Sequence, residues 1–126
     1  MADVLVAEDE NEIVEFVRII LSSSGYFLRA VSSGMVVLEE MKRQKPDLLI
    51  LDLMLPGFDG HTVLMKMSED PMLRTIPVVV MTALDYTSEL FTKFPQVKAF
   101  LVKPFHPEQL EKIVKEGLSS VSKAQS

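Results

Sequence analysis

The segment Pro46-Asp47-Leu48-Leu49-Ile50-Leu51-Asp52-Leu53-Met54-Leu55-Pro56-Gly57 constrains the fold of this chain more than any other. An apolar run without alternation reads as a strand covered on both faces, and the carboxylate of Asp52 stops it just ahead of a Pro-Gly turn. Such strands belong to parallel sheets, whose neighbouring strands are joined by long crossovers, usually helices. In open α/β sheets ligands gather outside the carboxyl ends of the strands, so Asp52 stands where a reactive group is placed.

The rest of the chain supplies the alternation that a parallel sheet requires. Val4-Leu5-Val6-Ala7 predicts a first strand, and Ile13, Phe16, Val17 and Ile20 share one helical face before Ser22-Ser23-Ser24-Gly25 ends it. Tyr26 to Val31 predicts a second, less apolar strand at a sheet edge, and a helix through Leu38 and Met41 follows Ser32-Ser33-Gly34. The Asp52 strand leads into a helix from about Gly60 to Ser68, with Asp59 placed to cap it. Ile76 to Met81 is a fourth strand with its proline near the start, where a missing N–H is tolerated. A weak helix from about Thr87 to Phe94 precedes a fifth strand, Ala99 to Val102. Pro107 then opens a last helix that buries Leu110, Ile113, Val114 and Leu118. Five β-α units predict an α/β fold, a doubly wound five-stranded parallel sheet with right-handed crossovers and helices on both faces.

Composition narrows the class. The 126 residues include no cysteine and are enough for a single core, which places one domain over 1–118 and leaves 119–126 as a polar, frayed tail or the start of a linker. No apolar run approaches the roughly 20 residues that span a bilayer, so a cytoplasmic chain is the expectation. Thirteen basic against eighteen acidic residues give a net charge of −5 without a basic cluster, which argues against nucleic-acid binding by this domain.

The strand ends carry the chemistry. Strand one ends in Glu8-Asp9, strand three in Asp52, strand four in Thr82 and strand five in Lys103-Pro104. If strands one and three are neighbours, three carboxylates share one spot, and each pair about 4 Å apart repels by roughly 1 to 4 kcal/mol. Over three pairs that rivals the stability of a domain, about 5–15 kcal/mol, so a carboxyl is protonated or a cation is bound. Oxygen ligands without cysteine or clustered histidine suit a hard divalent ion, and an open site suits Mg²⁺ better than a Ca²⁺ cage. With a metal and a lysine beside it, Asp52 can act as a nucleophile toward a phosphoryl group, and the Thr82 hydroxyl can donate to the product.

In this order and spacing, Glu8-Asp9, Asp52, Pro56-Gly57, Thr82, Phe100 and Lys103-Pro104-Phe105 resemble the receiver domain of two-component response regulators over nearly the whole chain. The resemblance implies a flavodoxin-like sheet of order 2-1-3-4-5. It implies Asp52 as phosphoacceptor, with Mg²⁺ held by Asp9, Asp52 and the Met54 carbonyl and by Glu8 through water. Lys103 would pair with the acceptor carboxylate or its phosphoryl group, across a cis Lys103-Pro104 bond. Thr82 and Phe100 would be the coupled switch pair. The implied partners are a histidine kinase or phosphotransfer protein and a downstream protein or fused output domain. The implied catalysis is limited to phosphorylation and dephosphorylation of Asp52 itself.

The segment Tyr86 to Val97 departs from the family pattern in being short, in holding Phe91 and Phe94, and in closing with Pro95-Gln96-Val97. Phe91 and Phe94 read as local core, and His61 and His106 as surface residues without a ligand partner. A phosphatase of the haloacid dehalogenase type would carry a second aspartate where Met54 stands, which disfavours that chemistry. A pseudo-receiver, binding protein partners without being phosphorylated, is the alternative function.

Overall fold

The structure, a computed structural model, describes residues 2–83 and 93–125, with side chains through 119. Five strands form one parallel sheet of order β2-β1-β3-β4-β5: β1 Asp3–Ala7, β2 Phe27–Val31, β3 Leu48–Asp52, β4 Val78–Thr82 and β5 Val97–Val102. The described helices are α1 Asn11–Ser23, α2 Gly34–Arg43, α3 Gly60–Ser68 and α4 Pro107–Gln125. The fold class and strand order expected of the sequence are those observed.

Burial follows the pattern that placed each strand. Every residue of β3 and β4 is buried, whereas β2 and β5 interleave buried with exposed positions and form the two edges. One face packs Leu5, Leu49, Leu51, Val78 and Val80 against Val37, Met41, Val63 and Met67 of α2 and α3. The other packs Val4, Val6, Ile50, Val79 and Met81 against Val17 and Leu21 of α1 and Leu110 and Val114 of α4. Each side chain buried this way contributes about 1.5–3 kcal/mol, so the sheet core is the main source of stability.

Several boundaries differ from expectation for local reasons. The fourth strand begins after Pro77 instead of at Ile76, and β5 starts two residues early, at Val97. An irregularity lies there: Val78 pairs with Val97 but Val79 with Ala99, leaving Lys98 as an extra residue that breaks the apolar run. Phe16, expected on the buried face of α1, is 39% exposed, and Ile113 and Leu118 are half-buried. Helix α4 continues through Gln125, across the segment expected to fray, where no proline or glycine stops it. The helix expected from Thr87 lies, as far as Thr92, outside the described residues, and so does Phe91.

Two polar features hold the periphery. At the edge, Arg29 of β2 donates to Asp3 at 3.0 and 2.8 Å, to Glu40 of α2 at 2.6 Å and to the Gln44 carbonyl at 2.9 Å. This ties an otherwise weakly apolar strand to its neighbours. Asp59 caps α3, its Oδ1 accepting from the Thr62 N–H at 2.8 Å, and that bond holds its carboxyl below the usual aspartate range. Replacing Asp59 by Ala is expected to lower stability by about 1 kcal/mol at neutral pH. Because the aspartate value is depressed in the fold, this difference is present above the unfolded value and fades as pH falls through the folded one. Urea titrations of both proteins at neutral and acid pH check the size and the sign.

Candidate functional site

Strand register alone brings the polar ends together. Pairing of β1 with β3 runs from Val4↔Leu48 to Ala7↔Leu51, so the next step along both strands sets Glu8 beside Asp52. Asp52 lies opposite Met81 of β4, and Thr82 opposite Val102 of β5, which leaves Lys103 immediately beyond. The Lys103 N–H donates to the Thr82 carbonyl at 2.8 Å, anchoring the lysine to the end of β4. The Lys103-Pro104 bond is cis, as the resemblance implies.

From that anchor the ammonium reaches across the sheet. Lys103 Nζ donates to Glu8 Oε1 at 2.6 Å and to Asp52 Oδ2 at 3.2 Å. The other Glu8 oxygen accepts from the N–H groups of Asp9 and Glu10, at 3.0 and 3.3 Å, and Asp52 Oδ1 accepts from the Met54 N–H at 2.9 Å. Glu8 and Asp52 are 1% and 3% exposed, while Asp9 faces solvent. One oxygen from each of Glu8, Asp9 and Asp52 lies within 4.8 Å of the others.

One ammonium cannot neutralise two buried carboxylates and a third at their rim. Burial pushes the Glu8 carboxyl up to about 7, with the hydrogen bonding and charge of Asp52 adding to the rise and Lys103 opposing it. For Lys103, burial pulls the ammonium down, but its bond to Glu8 and the charges of Asp52 and Glu8 prevail and hold it above the usual lysine value. The lysine therefore stays charged, and protonation of Glu8, favoured by its raised value, is one way to relieve the excess negative charge. A cation would relieve it as well. The donors are all oxygen and the site is open at Asp9, which fits Mg²⁺.

The remaining expected residues are distributed around this centre. Thr82 is wholly buried at the end of β4. Phe100, paired with Val80, lies half-buried on the face of the sheet shared with α2 and α3. By strand alternation Thr82 shares that face, so the pair are diagonal neighbours on adjacent strands. Met54 points its side chain outward, 67% exposed, between the buried Leu53 and Leu55. His106 is exposed, but His61 is half-buried with its ring edge-on to Phe94, 5.3 Å between centroids; Phe94 itself is core.

Sequence reasoning missed two features. Ile13, Phe16, Pro104 and Phe105 line an open apolar recess beside Lys103, where the rings of Phe16 and Phe105 lie 5.7 Å apart. Helical periodicity places Phe16 toward the core, and nothing in the spacing signals that Phe105 draws it outward. Gln96 of the unusual Pro95-Gln96-Val97 turn is buried, its Nε2 donating to the Leu64 carbonyl of α3 at 3.1 Å. The departure from the family pattern at this turn was the only signal available.

The raised Glu8 value makes a prediction for the chain free of divalent ions. In the fold its acid form is favoured, so its contribution is fully present below the unfolded value, about 4.5, and is lost as pH rises through about 7. Glu8→Gln, which keeps the shape of the acid form, should gain on wild type by on the order of 1 to 3 kcal/mol between pH 5 and pH 8. Thermal midpoints in chelator-treated buffer measure this, and a constant gap across that window would contradict the assignment.

Comparison with known proteins gives the family. The model of the response regulator receiver domain matches residues 4–115. The chain is 33% identical over 116 residues to the alkaline phosphatase synthesis transcriptional regulatory protein PhoP of Bacillus subtilis, covering 89% of this chain and 46% of that protein. It is also 33% identical over 117 residues to response regulator Rre1 of Synechocystis, covering 91% and 51%. It thus spans about half the length of these relatives. Among solved structures, the receiver domain of a signal transduction histidine kinase from Syntrophus aciditrophicus is 30% identical, covers 96% of this chain and 92% of its own, and superposes with a TM-score of 0.84. With register, carboxylate trio and lysine in place, this chain belongs to the receiver-domain family of the response regulators.

Proposed function

We propose that the chain is a phosphorylation-activated signalling switch whose acceptor is Asp52. The observation that carries this reading is the Lys103 ammonium bridging Glu8 and Asp52 beside Asp9, at the carboxyl ends of three parallel strands. The donor is the phosphohistidine of a histidine kinase or phosphotransfer protein, and the setting is the cytoplasm. A carboxylate oxygen of Asp52 attacks phosphorus; the phosphorus–nitrogen bond breaks, and the departing imidazole keeps the electron pair and takes up a proton. Asp9, Asp52 and the Met54 carbonyl, with Glu8 through water, would hold Mg²⁺, which supplies charge neutralisation on the transferring oxygens. Lys103 would add a second positive charge at the Asp52 Oδ2 oxygen.

The reading extends to the relay. The Thr82 hydroxyl donates to the new phosphoryl group, and Phe100, on the same sheet face, turns inward and changes the surface of β5 offered to a downstream protein or fused output domain. This is a shift between two existing arrangements. Residues 1–118 are the receiver unit in this reading, and 119–126 are its tail or the start of a linker.

Incubation with a small-molecule phosphodonor and Mg²⁺ should add one phosphoryl group to wild type and none to Asp52→Asn, as read by intact-mass spectrometry. A wild-type chain that stays unmodified would favour the pseudo-receiver, and equal modification of the Asn variant would place the acceptor elsewhere. Thr82→Ala should leave phosphorylation largely intact and weaken the coupling. Partner binding with and without beryllofluoride measures that coupling, and equal dependence in both proteins would remove Thr82 from the switch.

A further inference from the structure

The loop between β3 and α3 is seated by a residue far from the site in sequence. Leu53 and Leu55 are buried in the core beneath it, and the Gly60 N–H donates to the Leu53 carbonyl at 3.0 Å. Its outer half rests on the first residue of α2, where the Gly34 N–H donates to the Pro56 carbonyl at 3.1 Å. The approach is closer than any side chain permits. A Cβ on Gly34 would overlap the Phe58 carbonyl oxygen and come within 2.7 Å of both the carbonyl carbon and Cβ of that residue.

Gly34 has a negative φ, so the backbone conformation does not demand glycine there. As the first residue of α2, after the Ser33 cap, it gains nothing over alanine in helix propensity. Space is the remaining reason: only a missing side chain lets the loop lie against the end of α2. That loop carries Met54, whose N–H already fixes one Asp52 oxygen and whose carbonyl is, in the function proposed above, a metal ligand.

We infer that Gly34 is a positioning residue for the divalent cation, holding loop 53–59 so that the Met54 carbonyl faces Glu8, Asp9 and Asp52. Gly34 touches neither the cation nor the phosphoryl group. Its effect passes through Pro56 and Phe58, and pushing Phe58 outward tilts the peptide planes that follow Asp52. The inference rests on the reading of this site as an Mg²⁺ site.

The test compares wild type, Gly34→Ala and Gly117→Ala, fitting the rise of the thermal midpoint with added magnesium chloride for the Mg²⁺ dissociation constant, which is the half-saturating concentration. Gly117 is a control away from the loop, since a Cβ there would meet Leu48 Cδ1, the end of a flexible side chain, at 2.8 Å in the core on the opposite face of the sheet. Both variants should melt lower, but only Gly34→Ala should raise the half-saturating Mg²⁺ concentration, by about tenfold. Its phosphorylation by a small-molecule donor should recover toward the wild-type rate at high Mg²⁺, as loss of metal affinity demands and loss of folded protein does not. Should Gly34→Ala fail to fold, Gly57→Ala takes its place. It strains the same loop at a φ of 77° with no Cβ contact closer than 3.8 Å, and the same rise is expected.

A folded Gly34→Ala, or Gly57→Ala in its place, that binds Mg²⁺ within about twofold of wild type would overturn the inference while leaving the site intact. An equal rise in Gly117→Ala would overturn it too, by showing that any lost stability weakens the site. A wild-type chain that takes up no Mg²⁺ would remove the site reading and this inference together.

Discussion

Mutual repulsion among Glu8, Asp9 and Asp52 is the constraint around which the molecule is arranged. Three acidic oxygens within 4.8 Å of one another are tolerable in open water, but here two of the three side chains are buried. The effective dielectric falls with burial, and the same charges repel several times more strongly. The chain answers with a lysine 95 residues from Glu8 and 51 from Asp52, brought in by the last strand. A buried ion pair of this sort is weak evidence of stability, because desolvation offsets much of the attraction. Beside it a surplus of negative charge remains, and a strained charge balance in a strand-end cleft marks a candidate functional site.

The parallel sheet is what makes that concentration of charge survivable. Its centre is apolar on both faces, with β3 and β4 wholly buried, so cohesion is secured several residues away from the carboxylates. All five strands run the same way, and their carboxyl ends meet along one rim. A two-residue step past the core therefore changes the environment from closely packed to reactive. The rim is stiffened by backbone bonds that use no catalytic group: Lys103 to Thr82, Glu8 to Val31, Gly60 to Leu53 and Gly34 to Pro56.

What was legible in the sequence was whatever depends on nearest neighbours. The continuous apolar runs of β3 and β4 and the Asp59 cap each announce themselves within a few residues, and the polar residue closing each strand falls where such runs stop. The edge position of β2 was legible too, from its mixed polarity. The early start of β5 was hidden because an exposed Lys98 interrupts the run, and only pairing with β4 shows that it is an extra residue in the ladder. The Arg29 network escaped for a similar reason, since it joins positions 3, 29, 40 and 44, which no periodicity links. The half-burial of His61 is hidden as well, because its partner Phe94 lies on a distant segment.

The division of Lys103 between its two carboxylates was the least legible part of the site. The resemblance pairs this lysine with the acceptor, yet the ammonium sits 2.6 Å from Glu8 and 3.2 Å from Asp52. Glu8 takes two backbone N–H groups on its other oxygen and Asp52 takes one, so each carboxylate offers Lys103 the oxygen that its own backbone does not engage. In the proposed switch, a cation held by Asp9 and Asp52, with Glu8 through water, would offset charge now met by Lys103 alone, and the phosphoryl oxygens on Asp52 would become the strongest acceptors within reach of the ammonium. The lysine then has reason to move toward Asp52. Its backbone N–H is bonded to the Thr82 carbonyl, so the lysine that would move is anchored at the end of β4, beside the threonine of the proposed switch.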